Sequence, residues 1–540
     1  MQWKAIATAV ALGLTLAISG LNPAKADILT TPTNLTSTQN SYLFPGRAED
    51  LNPGEYWYRR KKIHGSGQQR LGYDLTAVRF DARRQQWITD KVGTNGTENA
   101  HKLIYGEPVY AVADGKVVAC WRNAPENPRP GESHPGRTSD PKTIAGGGNY
   151  LWVDHGNSEI ILYAHFQPGT IPASICPNSR QFMTDAGNAS AEGYAAETVL
   201  PVSNQPQLKQ GQFIGKVGNS GSSSGPHLHI HMQENPPSSA EAVPLSFHKA
   251  LIKSIENNPD DSPKDWTRLN DSPLPPGPIA ILPNFSQGFA EVSRHGVPSS
   301  SYQLVFDQIT SSGYQLEWID GYNVAGNIFF NAVFRPANGT PWAAFHNLTG
   351  AQYQEKFNQY TGDGFRLKQV ESYPSRDGIR YAAIFAKDGG PAFVAYHGLS
   401  ADKHQERFNQ LIQDGWRPKN ISVVSVDGKR IYAALYEKVN VGSFVAKSFL
   451  TPAQYQQAFD QNLEQGRQIA YLNAYAHDGE TRFSAIWNSA TKGQFTARHG
   501  LSSSDYQAKW EDSLDKGLLT RNVTGYSNGD SHRFAAVWRK

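Results

Sequence analysis

The stretch Gly211-Gln-Phe-Ile-Gly-Lys-Val-Gly-Asn-Ser-Gly-Ser-Ser-Ser-Gly-Pro-His-Leu-His-Ile-His231 joins a glycine- and serine-rich turn to a short apolar strand with three histidines. Side chains two residues apart on a strand point to the same face, so His227 and His229 can face one site. Histidine nitrogen is a common ligand of zinc. The turn lacks the Lys-Ser/Thr ending of a phosphate-binding loop, so we expect no nucleotide there. The stretch predicts a metal site, but a His-x-His pair needs support from other segments.

Three upstream segments provide that support, because together with residues 211–229 they resemble M23 (lysostaphin/LytM-like) peptidases. These segments are Gly106-Glu-Pro-Val-Tyr-Ala-Val-Ala-Asp-Gly115, Asn149-Tyr-Leu-Trp-Val-Asp-His-Gly-Asn157 and Ile161-Leu-Tyr-Ala-His165. The resemblance implies a β-rich, LytM-like antiparallel-sheet peptidase domain, which we place at residues 56–250. Short strands broken by glycine and proline in this interval agree with that fold. The fold class expected for the whole chain is α+β.

The resemblance also implies a ligand set for one Zn²⁺: a histidine, an aspartate and the second histidine of His-x-His. Asp74, in Gly72-Tyr-Asp-Leu75, and His229 match two of these ligands. The compact family pattern places the first histidine four residues before the aspartate, where this chain has Arg70. A guanidinium stays protonated and cannot bind the metal. Either the first ligand comes from elsewhere in the chain, or the site has lost catalysis.

His64 is the preferred first ligand. The segment Gln69-Arg-Leu-Gly-Tyr-Asp-Leu75 resembles a subgroup of the family in which a histidine lies about ten residues before the aspartate, and His64 has that spacing. A metal site requires the right number of ligands, which favours this choice over a degenerate site. His101 is a more distant alternative.

Two further histidines take catalytic roles by resemblance. His165 and His227 are expected to flank the attacking water, one helping to deprotonate it and the other stabilising the oxyanion of the peptide carbonyl. The sequence does not assign the two roles separately. His231 occupies a position where family members often have an acidic residue, and His155 in Asp-His-Gly is interpreted as a turn residue.

The N-terminal residues are typical of a secretory signal. Lys4 precedes an apolar stretch at residues 5–21, and Ala24-Lys-Ala26 provides a cleavage site. An uncleaved anchor is the alternative, but the stretch is short for a membrane span and contains two glycines. We expect an exported protein, periplasmic or extracellular, with no membrane span after signal cleavage.

Composition and length add further limits. At 540 residues the chain is expected to form two or more domains. A net charge of +3, without a lysine- or arginine-rich run, predicts no nucleic-acid partner. The only two cysteines, Cys120 and Cys176, are expected to pair in an oxidising compartment. The remaining intervals are interpreted as a signal peptide (1–26), an N-terminal extension (27–55), a proline-rich linker (251–284) and a repeat region (285–540).

The repeat region contains five modules with a period of 51 residues. Its clearest column is Tyr302, Tyr353, His404, Tyr455 and Tyr506. Each of these residues lies four before an aromatic residue, which predicts one buried helix face. Alternating aromatic and alanine residues later in each module predict strands. We expect one helix and a few strands per module, hence five tandem α/β modules.

Other columns predict the helix ends and one possible site. Helix N-caps are predicted at Thr349, Ser400, Thr451 and Ser502. A glycine column beginning at Gly313 predicts the helix C-termini. A histidine column is expected to brace the helix starts rather than to bind metal, because no second ligand type recurs beside it. It comprises His295, His346, His397 and His499, with Ser448 in the fourth module.

Two hypotheses for function follow. The first is an exported zinc metalloendopeptidase that hydrolyses peptidoglycan peptides or glycine-rich peptides. The second is a catalytically inactive M23-like protein that binds the cell wall or activates other enzymes. The repeats resemble tandem modules of exported bacterial and fungal hydrolases, including polyglycine hydrolases. That resemblance implies scaffolding, or binding to cell wall or glycan.

Overall fold

Strands dominate the part of the chain that precedes Gln287. The computed structural model describes residues 38–52, 54–60, 69–81, 83–137, 143–184, 195–234, 242–256 and 266–540. These residues fall into two units that divide between Ser286 and Gln287. The predicted signal peptide and His64 lie outside the described residues.

The first unit consists mainly of short antiparallel strands. They are β1 (Glu55–Arg59), β2 (Tyr73–Asp81), β3 (Gln86–Ile88), β4 (Pro108–Tyr110), β5 (Gly115–Trp121), β6 (Tyr150–Asp154), β7 (Glu159–Ala164), β8 (Gln207–Leu208), β9 (Phe213–Lys216), β10 (Leu228–Glu234), β11 (Ala242–Val243), β12 (Ser246–Phe247), β13 (Ala250–Ser254), β14 (Thr267–Leu269), β15 (Ser272–Pro273) and β16 (Ile279–Leu282). Single-turn 3₁₀ helices lie at Asn99–His101, Pro135–Arg137, Ala196–Thr198 and Val202–Asn204.

Most of these strands form one twelve-stranded sheet. Its order is β14-β13-β16-β1-β2-β10-β7-β6-β5-β8, with β11 beside β10 and β3 beside β2. β10 lies between β2 and β7, and its register places His229 opposite Asp74 on one side and Ala164 on the other. Residues far apart in the sequence therefore meet at the middle of the sheet.

The expected disulfide is present and joins Cys120, on β5, to Cys176. Both half-cystines are completely buried in the main core of this unit. A cross-link between residues this far apart stabilises a domain by roughly 4 kcal/mol in the chain-entropy model. The bridge anchors the segment after β7 to the sheet.

The interval predicted as a linker, 251–284, instead contributes strands to the sheet. β16 pairs with β1, with Ile281 opposite Trp57, and β13 pairs with β16 on its other side. Ile279 and Ile281 of β16 are buried. The linker prediction was wrong because it used the average composition of the interval, which is rich in proline and aspartate. That average hides the short apolar runs that form the strands. The predicted extension also packs here, since Tyr42 is fully buried.

The second unit contains five modules of one helix and three strands, as the repeat columns predicted. The helices are α1 (Ser299–Ser311), α2 (Gly350–Gly362), α3 (Ala401–Gln413), α4 (Pro452–Glu464) and α5 (Ser503–Asp515). The strands are β17 (Val292–Pro298), β18 (Tyr314–Val324), β19 (Asn327–Pro336), β20 (Trp342–Leu348), β21 (Arg366–Ser375), β22 (Gly378–Ala386), β23 (Phe393–Ser400), β24 (Arg417–Val426), β25 (Lys429–Glu437), β26 (Phe444–Leu450), β27 (Gln468–His477), β28 (Glu480–Asn488), β29 (Phe495–Leu501), β30 (Leu519–Asn528) and β31 (Ser531–Arg539). Among the described residues, none of the helices combines the length and apolar character needed to cross a bilayer.

The predicted helix ends follow from local chemistry. Thr349, Thr451 and Ser502 each accept a hydrogen bond from a backbone N–H of the first turn and complete a capping box. Ser400 occupies the N-cap of α3 without a side-chain cap bond. The five glycines after the helices all have positive φ, from 69° to 92°, a conformation that glycine adopts without strain. These glycines end the helices and let the chain enter the next strand.

The five modules close into a ring. β18 packs against β21 of the second module and also against β30 of the fifth. One hydrogen bond recurs between neighbours: a backbone N–H of one module donates to a side chain of the next. The pairs are Ser372 to Ser422 (2.9 Å), Val423 to Asn473 (3.0 Å), Ala474 to Thr524 (3.0 Å) and Gly525 to Asp320 (2.8 Å). The last pair joins the fifth module to the first by the same contact.

The histidine column lies between modules and packs on the helix of the preceding module. His346 contacts the ring of Tyr302 with centroids 4.7 Å apart, and His397 contacts Tyr353 at the same distance. At the closure of the ring, His295 Nε2 lies 2.8 Å from the hydroxyl of Ser503, the first residue of α5. These contacts agree with the predicted bracing of the helix starts.

Candidate metal and catalytic site

β10 and β2 bring three potential metal ligands together. Asp74 Oδ1 lies 2.9 Å from His229 Nδ1 and 3.4 Å from His227 Nε2. Ligand atoms of these three residues lie within 4.8 Å of one another. Two imidazole nitrogens and a carboxylate oxygen are donors that suit Zn²⁺. Asp74 and His229, the two described members of the ligand set that the resemblance implies, therefore fit the metal, and His227 lies beside them in its catalytic role.

His165 faces the same group from the end of β7. Its φ is 72°, in the left-handed region that side chains other than glycine seldom adopt. Its ring centroid lies 4.7 Å from that of His227 and 6.0 Å from that of His229. Burial, followed by repulsion from the other two histidines, holds the pKa of His165 well below its usual range. The strained backbone aims a neutral imidazole at the metal-capable group.

Backbone carbonyls fix the orientation of both predicted catalytic histidines. His165 Nδ1 lies 2.7 Å from the carbonyl oxygen of Ser220, and His227 Nδ1 lies 2.8 Å from that of Gly225. A carbonyl only accepts, so Nδ1 of each ring carries the proton. In the neutral rings Nε2 is then left as the proton acceptor. This tautomer suits both histidines for proton transfer at one point.

These residues line a cleft of about 700 Å³. Glycines and serines form much of its wall, and several of them come from the segment between β5 and β6 (residues 122–148), which we call the insertion. The small wall residues are Gly131, Ser133, Gly146, Gly147, Ser222, Ser223 and Ser224. The amide of Asn127 fastens the insertion to the serine turn, since Nδ2 donates to the carbonyls of Gly221 and Ser223 at 3.1 and 3.0 Å. The open, small-residue walls leave space for an extended peptide.

The structure thus brings together Asp74, His165, His227 and His229. The preferred first ligand, His64, lies outside the described residues, so its role stays a prediction. Arg70 lies in the turn before β2, closed by a hydrogen bond from Gly72 N to Gln69 O.

Two other histidines weighed from the sequence lie outside this group. His101 lies in a 3₁₀ turn, where its Nδ1 accepts from the backbone N–H of Glu98. His155 is buried, with Nδ1 2.8 Å from the carbonyl of Asp114, as expected of a structural turn residue.

Sequence reasoning missed two features of the site. Gly72 lies against two histidines of β10: a Cβ there would come within 3.0 Å of His231 Cβ and 3.2 Å of His229 Cε1. The glycine in Gly72-Tyr-Asp was a possible signal, but its meaning required the packing of β2 on β10. The wall formed by the insertion left no comparable signal, because its residues carry no distinctive chemistry.

Two family models match the chain. Residues 179–240 match Peptidase family M23. Residues 288–337, 339–388, 390–439, 442–490 and 492–540 match the model described as polyglycine hydrolase-like, structural repeat. Both resemblances predicted from the sequence are confirmed. The chain therefore contains a segment that matches the M23 model, followed by five segments that match the polyglycine hydrolase-like repeat model.

Three proteins are similar to parts of the chain. The peptidoglycan DD-endopeptidase ShyA of Vibrio cholerae serotype O1 is 27% identical over 154 residues, which are 28% of this chain and 23% of that protein. A zinc containing peptidase from Vibrio cholerae is 17% identical, over 38% of this chain and 40% of that one, with a TM-score of 0.18. The solution structure of lysostaphin is 13% identical, over 65% and 92% of the two chains, with a TM-score of 0.19. The chain spans less than half the length of the first two relatives.

Proposed function

We propose that this chain is an exported zinc metalloendopeptidase that hydrolyses peptide bonds in peptidoglycan. The observation that carries the proposal is the convergence of His165 and His227 on the Asp74–His229 pair inside a cleft. The M23 match and the likeness to a peptidoglycan endopeptidase support the substrate class. His64, Asp74 and His229 are the proposed ligands of one Zn²⁺.

The proposed mechanism divides the work between the metal and two histidines. Zn²⁺ held by His64, Asp74 and His229 would supply Lewis-acid chemistry for the attacking water and the scissile carbonyl. Of His165 and His227, one accepts a proton from the attacking water at Nε2, and the other stabilises the developing oxyanion as a donor, which requires a proton on its Nε2 as well as on Nδ1. The carbonyls of Ser220 and Gly225 accept from Nδ1 of the two rings, which fixes their orientation and leaves Nε2 of each ring for the reaction. The cleft walls position the peptide so that its carbonyl lies between the two rings.

Zinc content of the purified full-length protein tests this proposal. We expect close to one Zn²⁺ per chain in the wild type and its loss in His64→Ala, because two remaining protein ligands hold the ion poorly. The measurement is elemental analysis after dialysis, paired with cleavage of purified peptidoglycan. His101→Ala is the matched control and keeps its zinc. Wild-type protein without zinc would overturn the proposal.

Arg70 favours a second candidate function, because it occupies the position of a ligand in the compact family pattern. In that case the chain binds cell wall, or activates other enzymes, without hydrolysis. This candidate predicts wild-type protein that lacks zinc yet sediments with peptidoglycan. Zinc-loaded, active protein contradicts it.

For the repeat ring we propose scaffolding or binding to cell wall or glycan. The five matches to polyglycine hydrolase-like repeats support a role in an exported hydrolase. Residues 284–540 produced alone should sediment with peptidoglycan if the ring binds it. If the fragment stays in the supernatant while the full chain sediments, the ring has a scaffolding role only.

A further inference from the structure

Behind His229, two more polar side chains follow on the same face of β10. His229, His231 and Gln233 are spaced by two residues, and each is at most 3% exposed. His229 Nε2 lies 2.8 Å from His231 Nδ1, and His231 Nε2 lies 2.9 Å from the side-chain amide of Gln233. The three side chains form a continuous row of hydrogen-bonding groups that leads away from Asp74.

The tautomers along this row follow from the first member. Nδ1 of His229 faces Asp74 at 2.9 Å, so it is the nitrogen available to a metal and carries no proton when it binds one. Nε2 then carries the proton and donates to His231 Nδ1. His231 Nε2 in turn carries a proton and needs an acceptor, so metal binding requires the Gln233 amide, whose Nε2 faces the ring at 2.9 Å in the structure, to turn and present its oxygen. Each group in the row determines the proton position of the next.

Close packing confines the two imidazoles. Gly72 allows both rings to approach β2, since a Cβ at this position would lie 3.0 Å from His231 Cβ. On the far side, Trp152 of β6 meets the His231 ring edge-on, with centroids 5.4 Å apart and planes at 87°. The ring of His231 therefore has little freedom to turn away from His229.

We propose that His231 and Gln233 are positioning residues, which hold Nδ1 of His229 toward Asp74 for metal binding. This inference rests on the proposed zinc site and extends it by a hydrogen-bonded row of two residues. Partners that orient a metal-bound histidine through its second nitrogen are worth roughly 10- to 100-fold in metal affinity. A carboxylate at position 231 would only accept a hydrogen bond from His229. His231 contacts His229 through Nδ1 and, through Nε2, also contacts Gln233.

Zinc affinity of the full-length protein tests the proposal without reference to activity. His231→Leu removes the acceptor for His229 Nε2 and should weaken Zn²⁺ binding by roughly 10- to 100-fold in competition with a chromophoric chelator. His231→Asn places an amide oxygen near the position of Nδ1 and should restore most of the affinity. The matched control is His248→Leu, because His248 bonds to Ser41 away from the site.

Cobalt substitution provides a spectroscopic readout. Co²⁺-loaded His231→Leu should show shifted or weakened d–d absorption, because His229 can rotate, whereas His231→Asn and His248→Leu should keep the wild-type spectrum. Thermal unfolding of the metal-free proteins reports general damage separately. Unchanged zinc affinity and an unchanged cobalt spectrum in His231→Leu would overturn the positioning role.

The two proposals fail in different ways. If the wild type binds no zinc, the proposed function fails and so does the inference that rests on it. If the wild type binds zinc and His231→Leu binds it equally well, only the positioning role fails. Weaker binding in both His231→Leu and His231→Asn, with equal loss of metal-free stability, assigns His231 a packing role and also overturns it.

Discussion

At the residue scale, the role of each histidine in the site depends on which of its ring nitrogens is hydrogen-bonded to a neighbouring residue. His165 and His227 are held through Nδ1 by backbone carbonyls and present Nε2. His229 is held through Nε2 by His231 and presents Nδ1 to Asp74. One residue type can therefore serve for proton transfer and for metal binding, because different neighbours fix different tautomers.

The proposed division of roles predicts the effect of removing His165. His165→Ala should reduce peptidoglycan cleavage by roughly 10²- to 10⁴-fold, as expected for loss of a group that transfers a proton or stabilises the oxyanion. Its zinc content should stay at the wild-type level, because His165 is not a proposed ligand. Release of soluble peptides and elemental analysis measure the two effects. Loss of zinc together with activity would contradict the division.

At the element scale, sheet register assembles the candidate site, whereas helix capping fixes where the repeat helices begin. Register brings β10 between β2 and β7, so that Asp74, His229 and the end of β7 meet. Capping begins each repeat helix at a fixed residue, and three of the four predicted caps form complete capping boxes. Ser400 is the exception. The difference allows a matched comparison between modules.

Thr451→Ala should destabilise the repeat ring by about 1 kcal/mol, because it leaves the backbone N–H of Gln454 without its side-chain acceptor. Ser400→Ala removes no such bond and should cost clearly less. Denaturant unfolding of the full-length variants, followed by tryptophan fluorescence, measures both. Equal effects of the two substitutions would show that the cap bond contributes nothing measurable to the ring.

At the scale of the whole molecule, the five modules form a ring rather than an open row. Closure gives the first and last modules the contact that also joins the second to the third, the third to the fourth and the fourth to the fifth, here from Gly525 N to Asp320. Closure also adds Glu291, whose carboxylate accepts from Trp510 Nε1 at 2.6 Å and from Thr520 N at 2.9 Å. The other modules have an aromatic residue at the position of Glu291. Each module packs against two neighbours, so neither the first nor the last needs a polar capping face.

The ring also buries two carboxyl groups, and their titration predicts a pH dependence. Burial raises the pKa of Asp320 to about 7, and burial and the proximity of Asp320 raise that of Glu371. An exposed aspartate titrates near about 4, so the folded ring binds more protons than the unfolded chain between these values. The contribution of these two carboxyl groups to the stability of the ring is therefore greatest at low pH and falls as pH rises from about 4 toward 7.

Asp320→Asn should reduce this decline, because the amide keeps an acceptor for Gly525 N without a charge. The gain at pH 7 should be on the order of a few kcal/mol relative to the wild type, and small near pH 4. Calorimetry of both full-length proteins across this range isolates the contribution of Asp320. If the stability of the wild type rises between about pH 4 and pH 7, or if both proteins show the same dependence of stability on pH, ionisation of Asp320 does not destabilise the folded ring.

The sequence by itself determined the features that depend on local spacing. The 51-residue period predicted the modules and their caps, and matched segments predicted the M23 fold together with Asp74, His165, His227 and His229 as a set. It was misleading at 251–284, because a strand as short as β16 is recognised only once β1 and β13 lie beside it.

Only the tertiary structure decided the closure of the ring and the row from His229 to Gln233. Both depend on contacts between residues far apart in sequence, such as Asp320 with Gly525 or Gly72 with His231. The period gives the length and number of the modules, but not the angle between neighbouring modules that allows five of them to close into a ring. A His-x-His pattern gives the face of a strand but not the neighbour that holds each ring nitrogen. Those depend on three-dimensional packing, which no linear spacing encodes.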